Sequence, residues 1–299
     1  MDDAKERLCR GRRTGIFAAL GALLSGCSAT GALDALVARD SYQGREGVAY
    51  GPDPRQKLDV FKPIGARAPA PLVVFFYGGN WSRGSRSDYR FVGEALAANG
   101  AIAFVADYRL SPQVRWQEIL ADCAAAVKWA FDHAAELGGD PRRVYLMGHS
   151  AGGYNAAMLA LDERWLRAQG LSPQRLAGWI GLAGPYDFLP IEDPPSRVAF
   201  DWPHTPRDSQ PIAHVSAQAP RTLLLAASKD ATVNPQRSTV GLGERLKAAG
   251  APVQVRLFDS VNHVTVLGAV ARPLNWLAPV LAEVLGFLDL PVRRSAGKF

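Results

Sequence analysis

From residue 45 onward, short apolar runs alternate with longer stretches in which apolar residues recur at helical spacing. Runs of roughly four to eight residues rich in Val, Ile, Leu and Phe suit strands buried on both faces, and the amphipathic stretches between them suit the crossovers that parallel strands need. The pattern predicts an early edge strand at 57–61 and buried strands at 72–77, 101–106, 143–148, 179–182, 222–227 and 253–258. Helices are predicted at 89–98, 114–137, 151–161, 237–249 and 276–288, with Gly100, Gly138-Gly139 and Gly250 stopping three of them. Such a succession builds an α/β fold, a mostly parallel sheet flanked by helices on both faces, expected here as one domain over 45–290.

One segment interrupts the alternation. Residues 184–220 hold eight prolines together with Phe188, Phe200 and Trp202. A long, proline-stiffened, aromatic-bearing excursion inside a compact domain is expected to wall a pocket rather than merely connect two elements.

The amino terminus follows a different logic. Lys5, Arg7, Arg10, Arg12 and Arg13 precede an uncharged apolar stretch over 14–24, which leads into Leu24-Ser25-Gly26-Cys27. Basic start, short apolar core and small residues make the shape of a secretory leader, and the apolar run is shorter than the roughly 20 residues a membrane-spanning helix needs. The tetrad resembles a bacterial lipobox, which implies cleavage after residue 26 and a lipid on Cys27. The expectation is a leader over 1–26, a linker over 27–44, and a protein anchored by lipid in the bacterial cell envelope, facing the periplasm or exterior. Cys9 would leave with the leader and Cys27 would be acylated, so Cys123 stands alone, in a helical apolar run that marks it as a packed core thiol.

Composition narrows the classes further. The 299 residues are 48% hydrophobic and 21% charged, enough for a real core, and the net charge of +6 owes much to the two ends, including a basic tail over 291–299. No internal basic stripe with interleaved aromatics appears, so nucleic acid is not an expected partner.

The candidate chemistry lies at Gly148-His149-Ser150-Ala151-Gly152, a G-x-S-x-G sequence with a predicted strand before it and a predicted helix after it. A strand that turns sharply into a helix lifts the serine hydroxyl above the carboxyl edge of the sheet, at a helix N-terminus that favours developing negative charge. Serine needs a base and a group that orients that base. Of His133, His149, His204, His214 and His263, only His263 follows the last predicted strand. Asp230 follows the strand at 222–227, and the order Ser150, Asp230, His263 is the one such a fold demands; Asp187 and Asp259 are the second and third choices for the acid. The paired glycines of Tyr77-Gly78-Gly79-Asn80-Trp81 allow backbone N–H groups to approach an oxygen, so Gly79, Asn80 and Ala151 are candidates for an oxyanion hole. Trp81, Tyr186 and Phe188 are candidates for the substrate pocket.

Together with Asp107-Tyr108-Arg109-Leu110 and Asp230 to Val233, these motifs resemble the α/β-hydrolase fold, over roughly residues 45–290. Within it they resemble the carboxylesterase branch related to hormone-sensitive lipase, feruloyl esterases and kynurenine formamidases. Relatives usually begin the oxyanion loop with His, where this chain has Tyr77. The resemblance implies a serine hydrolase that cleaves small carboxylic esters through an acyl-enzyme, without metal or cofactor. Two alternatives stay open at this level: an amidase or formamidase using the same three residues, and a non-catalytic lipid-anchored binding protein.

Overall fold

The computed structural model describes Leu33 and residues 37–65 and 69–291. The expected leader with Cys9 and Cys27 lies outside the described residues, as does the basic tail beyond Pro291. Among the described residues, eight strands form one sheet: β1 (Tyr42–Ala49), β2 (Lys57–Pro63), β3 (Ala70–Phe76), β4 (Ile102–Ala106), β5 (Gly139–His149), β6 (Gly178–Leu182), β7 (Thr222–Ala227) and β8 (Val253–Phe258). Their order is β1-β2-β4-β3-β5-β6-β7-β8. β1 pairs antiparallel with β2 and β2 with β4, while the pairings from β4 through β8 are parallel. β3 and β4 are buried along their whole length, as their unbroken apolar sequences require.

Helices fill the crossovers. α1 (Arg90–Ala98) joins β3 to β4, α2 (Trp116–His133) joins β4 to β5, and α3 (Ala151–Leu161) with the short α4 (Glu163–Arg167) follows β5. α5 (Pro194–Ala199) lies in the proline-rich excursion, α6 (Gly241–Ala248) precedes β8, and α7 (Thr265–Gly268) and α8 (Val280–Phe287) follow it. Right-handed crossovers place α1 and α2 on opposite faces, because the chain steps one way along the sheet from β3 to β4 and the other way from β4 to β5. That reversal leaves a crevice beyond the carboxyl ends of β3 and β5, the place where open α/β sheets bind ligands.

Several boundaries differ from the sequence reading. β1 falls partly in the stretch expected as a linker over 27–44, so the domain includes Tyr42, and β2 at 57–63 is the second strand rather than the edge. β1 escapes the pattern because the outermost strand of the sheet leaves Gln43, Gly44, Arg45 and Glu46 exposed, so no apolar run marks it. The helix expected over 237–249 is a π-helical turn, Gln236–Val240, that runs into α6. The helix expected from 276 starts only at Val280, after Pro279 at its N-cap.

Candidate active site

Ser150 stands between β5 and α3 with φ 54° and ψ −122°, a backbone conformation that L residues rarely adopt. Its N–H donates to the Leu182 carbonyl at 2.9 Å, which ties the turn to β6. The glycines around it are required by approach distance. A Cβ on Gly148 would come within 2.0 Å of the Gly152 carbonyl oxygen, and one on Gly152 within 2.0 Å of the Phe76 oxygen, so a side chain at either position would force the strand and helix apart.

The Ser150 hydroxyl lies 3.0 Å from Nε2 of His263, whose Nδ1 lies 2.7 Å from Oδ2 of Asp230. Oδ1 of Asp230 accepts from the N–H groups of Thr232 at 2.8 Å and Val233 at 3.0 Å, a tight turn that fixes the carboxylate just past β7. Burial alone would raise the Asp230 carboxyl, but the hydrogen bond from His263, its charge and the two backbone donors hold it below the ordinary carboxylate range. An ionised Asp230 can only accept, so Nδ1 of His263 carries the proton and Nε2 presents a lone pair to the serine O–H. Asp187 and Asp259 are engaged elsewhere: Asp187 pairs with Arg237 at 3.0 Å, and Asp259 accepts from Ser228.

His149 occupies a position that sequence reasoning passed over. Its Nε2–H donates to the backbone carbonyl of His263 at 2.8 Å, so the residue beside the serine holds the main chain of the loop bearing His263. Burial, then the neighbouring His263, push His149 down to about 3, which keeps it neutral. Only the proximity of position 149 to Ser150 could have signalled this, because the partner is a backbone atom more than a hundred residues away.

The N–H groups of Gly79, Asn80 and Ala151 have no acceptor among the described residues. Gly79 has φ 122°, and Asn80 and Trp81 follow at 52° and 56°, so the loop after β3 turns its amides outward in succession. Tyr77 supports this loop in place of a histidine. Its hydroxyl donates to Asp107 at 2.6 Å and accepts from Arg55 at 2.8 Å, while its carbonyl accepts from the Tyr108 hydroxyl at 2.7 Å. The ring stacks between Tyr89 and Tyr108.

Two cavities meet at Ser150 and Asn80. The larger, about 370 Å³, is lined by Trp81, Ala151, Phe188, Ile191 and Val233, with much of its wall drawn from residues between Pro185 and Ser196. The smaller, about 270 Å³, is lined by Phe91, His149, His263, Val264, Leu267 and Leu33, the last contributed from ahead of the sheet. Trp81 and Phe188 thus face a cavity, but Tyr186 does not. Gly181 and Gly184 leave a space in which a Cβ would meet the Tyr186 side chain within 2.6 Å or less, so the ring folds back beside Trp179 into the core instead of outward. Cys123 is fully buried, and burial raises its thiol well above the ordinary range. Among the described residues no cluster of His, Cys, Asp or Glu has the geometry to hold a metal ion.

Comparisons with known proteins bear on the family. Esterase LipC of Mycobacterium tuberculosis is 31% identical over 226 residues, 69% of this chain and 56% of LipC. An isoprenylcysteine alpha-carbonyl methylesterase of Arabidopsis thaliana is 26% identical over 244 residues, 75% of this chain and 57% of that protein. The chain therefore spans little more than half the length of these relatives. Among solved structures, a thermophilic esterase from the Planctomycetes species Thermogutta terrifontis, with propionate bound, aligns with a TM-score of 0.67 at 23% identity, covering 85% of this chain and 97% of that one, a likeness that concerns the fold. The α/β-hydrolase architecture is thereby shared, and because the BD-FAE family model matches residues 58–246, well over half of the chain, the chain belongs to the BD-FAE family.

Proposed function

We propose that the protein is a carboxylic ester hydrolase that works through an acyl-enzyme on Ser150. The observation that carries this reading is the continuous line of contacts from the Ser150 hydroxyl through His263 to Asp230, set at the junction of two cavities beside three free N–H groups. The names of the relatives, an esterase and a methylesterase, support an ester as the substrate. Ser150 Oγ attacks the ester carbonyl while its proton passes to Nε2 of His263, and Asp230 stabilises the imidazolium that forms. The carbonyl oxygen becomes an oxyanion that accepts from Gly79, Asn80 and Ala151. As the tetrahedral species collapses, Nε2–H of His263 protonates the departing alkoxide, and water then repeats the sequence to release the acid.

The sidedness of the site follows from the proton. The leaving oxygen and the later water must both reach His263, which lines only the smaller cavity. The alcohol part of a small ester therefore occupies the smaller cavity and the acyl part the larger one, against Trp81, Phe188 and Ile191. A fluorophosphonate probe is expected to label Ser150 in the folded protein, and Ser150→Ala is expected to abolish p-nitrophenyl acetate turnover. Full turnover by that variant would refute the reading.

A lipid on Cys27, holding the domain on the bacterial envelope towards the periplasm or exterior, belongs to the same proposal and is supported by the order of residues in the leader. Mass spectrometry of the mature amino-terminal peptide tests it, and a Cys27→Ser protein that stayed with the membrane fraction would count against it.

A further inference from the structure

We infer that Asn155 is a positioning residue for the oxyanion hole, acting through Trp81; this rests on the proposed role of Ser150. The hole draws its donors from two separate pieces of chain, the loop after β3 and the first turn of α3. Their separation must be set by something other than the donors themselves. Nε1–H of Trp81 donates to Oδ1 of Asn155 at 3.0 Å, and both side chains are buried. Asn155 lies four residues after Ala151 on α3, so it shares a helix face with the donor it registers.

Other features fit this reading. Asn80 and Trp81 are two successive non-glycine residues at positive φ, a conformation that persists only where the surroundings over-determine it. The Trp81 carbonyl accepts from the Ser111 N–H at 2.8 Å, and the indole is boxed by Tyr154, Phe188 and Phe200. Packing holds the ring in the box, and the Asn155 bond fixes its place along α3. The other half of the Asn155 amide has no hydrogen-bond partner but the neighbouring Cys123 sulfur. A fully buried amide whose NH2 group meets nothing better than a sulfur is a poor choice for packing alone, where Leu would serve as well. Its bonded half points at the loop that carries Gly79 and Asn80.

The test uses matched esters that differ only in C=O against C=S. Sulfur is a weak acceptor, so the ratio of oxoester to thionoester turnover reports on the hole and is insensitive to a general loss of stability. Asn155→Leu is expected to lower kcat on the oxoester by about 100-fold, the scale of a misplacement of about 1 Å, and to collapse the ratio, while KM moves little; Trp81→Phe, which also trims the acyl wall and so shifts KM, is expected to collapse the ratio to the same extent. In the double variant the ratio is expected to fall no further than in either single variant, because both remove the same bond. Asn155→Asp keeps an acceptor in the same place and is expected to keep the ratio within about threefold of the parent. A folded Asn155→Leu protein with the parent ratio, or losses that multiply in the double variant, would overturn the inference. If Asn155→Leu does not fold, Trp81→Phe carries the same expectation alone. Fluorophosphonate labelling separates the two levels: a parent that does not label at Ser150 sinks the proposed function, whereas a parent that labels beside an unmoved ratio sinks only this inference.

Discussion

Replacing Ser150 by glycine should make the protein more stable than replacing it by alanine. Both substitutions delete the hydroxyl and its contact with His263, so the difference between them isolates the backbone. At φ 54° and ψ −122° an alanine carries the same steric conflict as the native serine, about 1 to 3 kcal/mol for a residue held in so sparsely populated a region. Glycine escapes that conflict but has more freedom to lose on folding, which takes back about 0.4 to 1 kcal/mol. The net advantage of Ser150→Gly over Ser150→Ala is then about 1 kcal/mol, and for a domain of this size that raises Tm by about 2 to 4 °C. Urea denaturation of the two inactive proteins side by side measures it, with equal m-values as the check that the unfolded states match. A Ser150→Gly protein no more stable than Ser150→Ala would mean that the turn stores no strain, and the argument for a forced conformation at the nucleophile would fail.

Asp230→Asn should leave the fold intact and lower kcat by roughly ten thousandfold, because an amide can donate to Nδ1 of His263 and so favour the wrong tautomer; steady-state kinetics on p-nitrophenyl acetate reads this. His149 gives the protein a pH-dependent stability. Burial holds its folded pKa at about 3, below the ordinary histidine value of 6.5, so below pH 6.5 the unfolded chain takes up a proton that the folded one refuses. That contribution is complete above pH 6.5 and is lost as the pH falls towards 3, with a slope of up to about 1.4 kcal/mol per unit. His149→Gln, which retains a donor for the His263 carbonyl, should flatten the stability curve between about pH 6 and 4, and parallel curves would contradict the assignment. The two cavities make a paired prediction: Ile191→Trp should cut turnover of long-acyl methyl esters by about tenfold while sparing acetates of longer alcohols, and Leu267→Trp should do the reverse. Rates that fall equally in both series would refute the sidedness.

Much of the architecture can be read in the chain because β3, β4, β6 and β7 are buried on both faces and announce themselves as unbroken apolar runs, whereas β8, expected as a buried strand, is the far edge of the sheet, with Gln254 and Arg256 exposed on its open face. The same principle explains the failure at β1, where four successive exposed residues hide a strand whose partners lie only on one side. Ser150, Asp230 and His263 were legible because each follows a strand, so the topology that orders the strands also orders the side chains at one edge. Tyr186 was misplaced because aromatic character in a proline-rich excursion says nothing about direction, which here is decided by the empty positions at Gly181 and Gly184. Asn155 and Leu33 left no local signal at all, and His149 only its place beside Ser150. Each acts on a partner distant in sequence, through a carbonyl, an indole or a shared wall, and such pairings exist only once the sheet has assembled.

Leu33 carries a practical warning for anyone who trims the protein before assaying it. A polypeptide begun at residue 37 would retain the entire sheet and every group assigned to bond-making, and it would pass any check based on simple chromogenic substrates. Yet Leu33 would be gone from the lining of the smaller cavity, and if that cavity takes the alcohol as proposed, the recorded preference among alcohols would be that of an altered chamber.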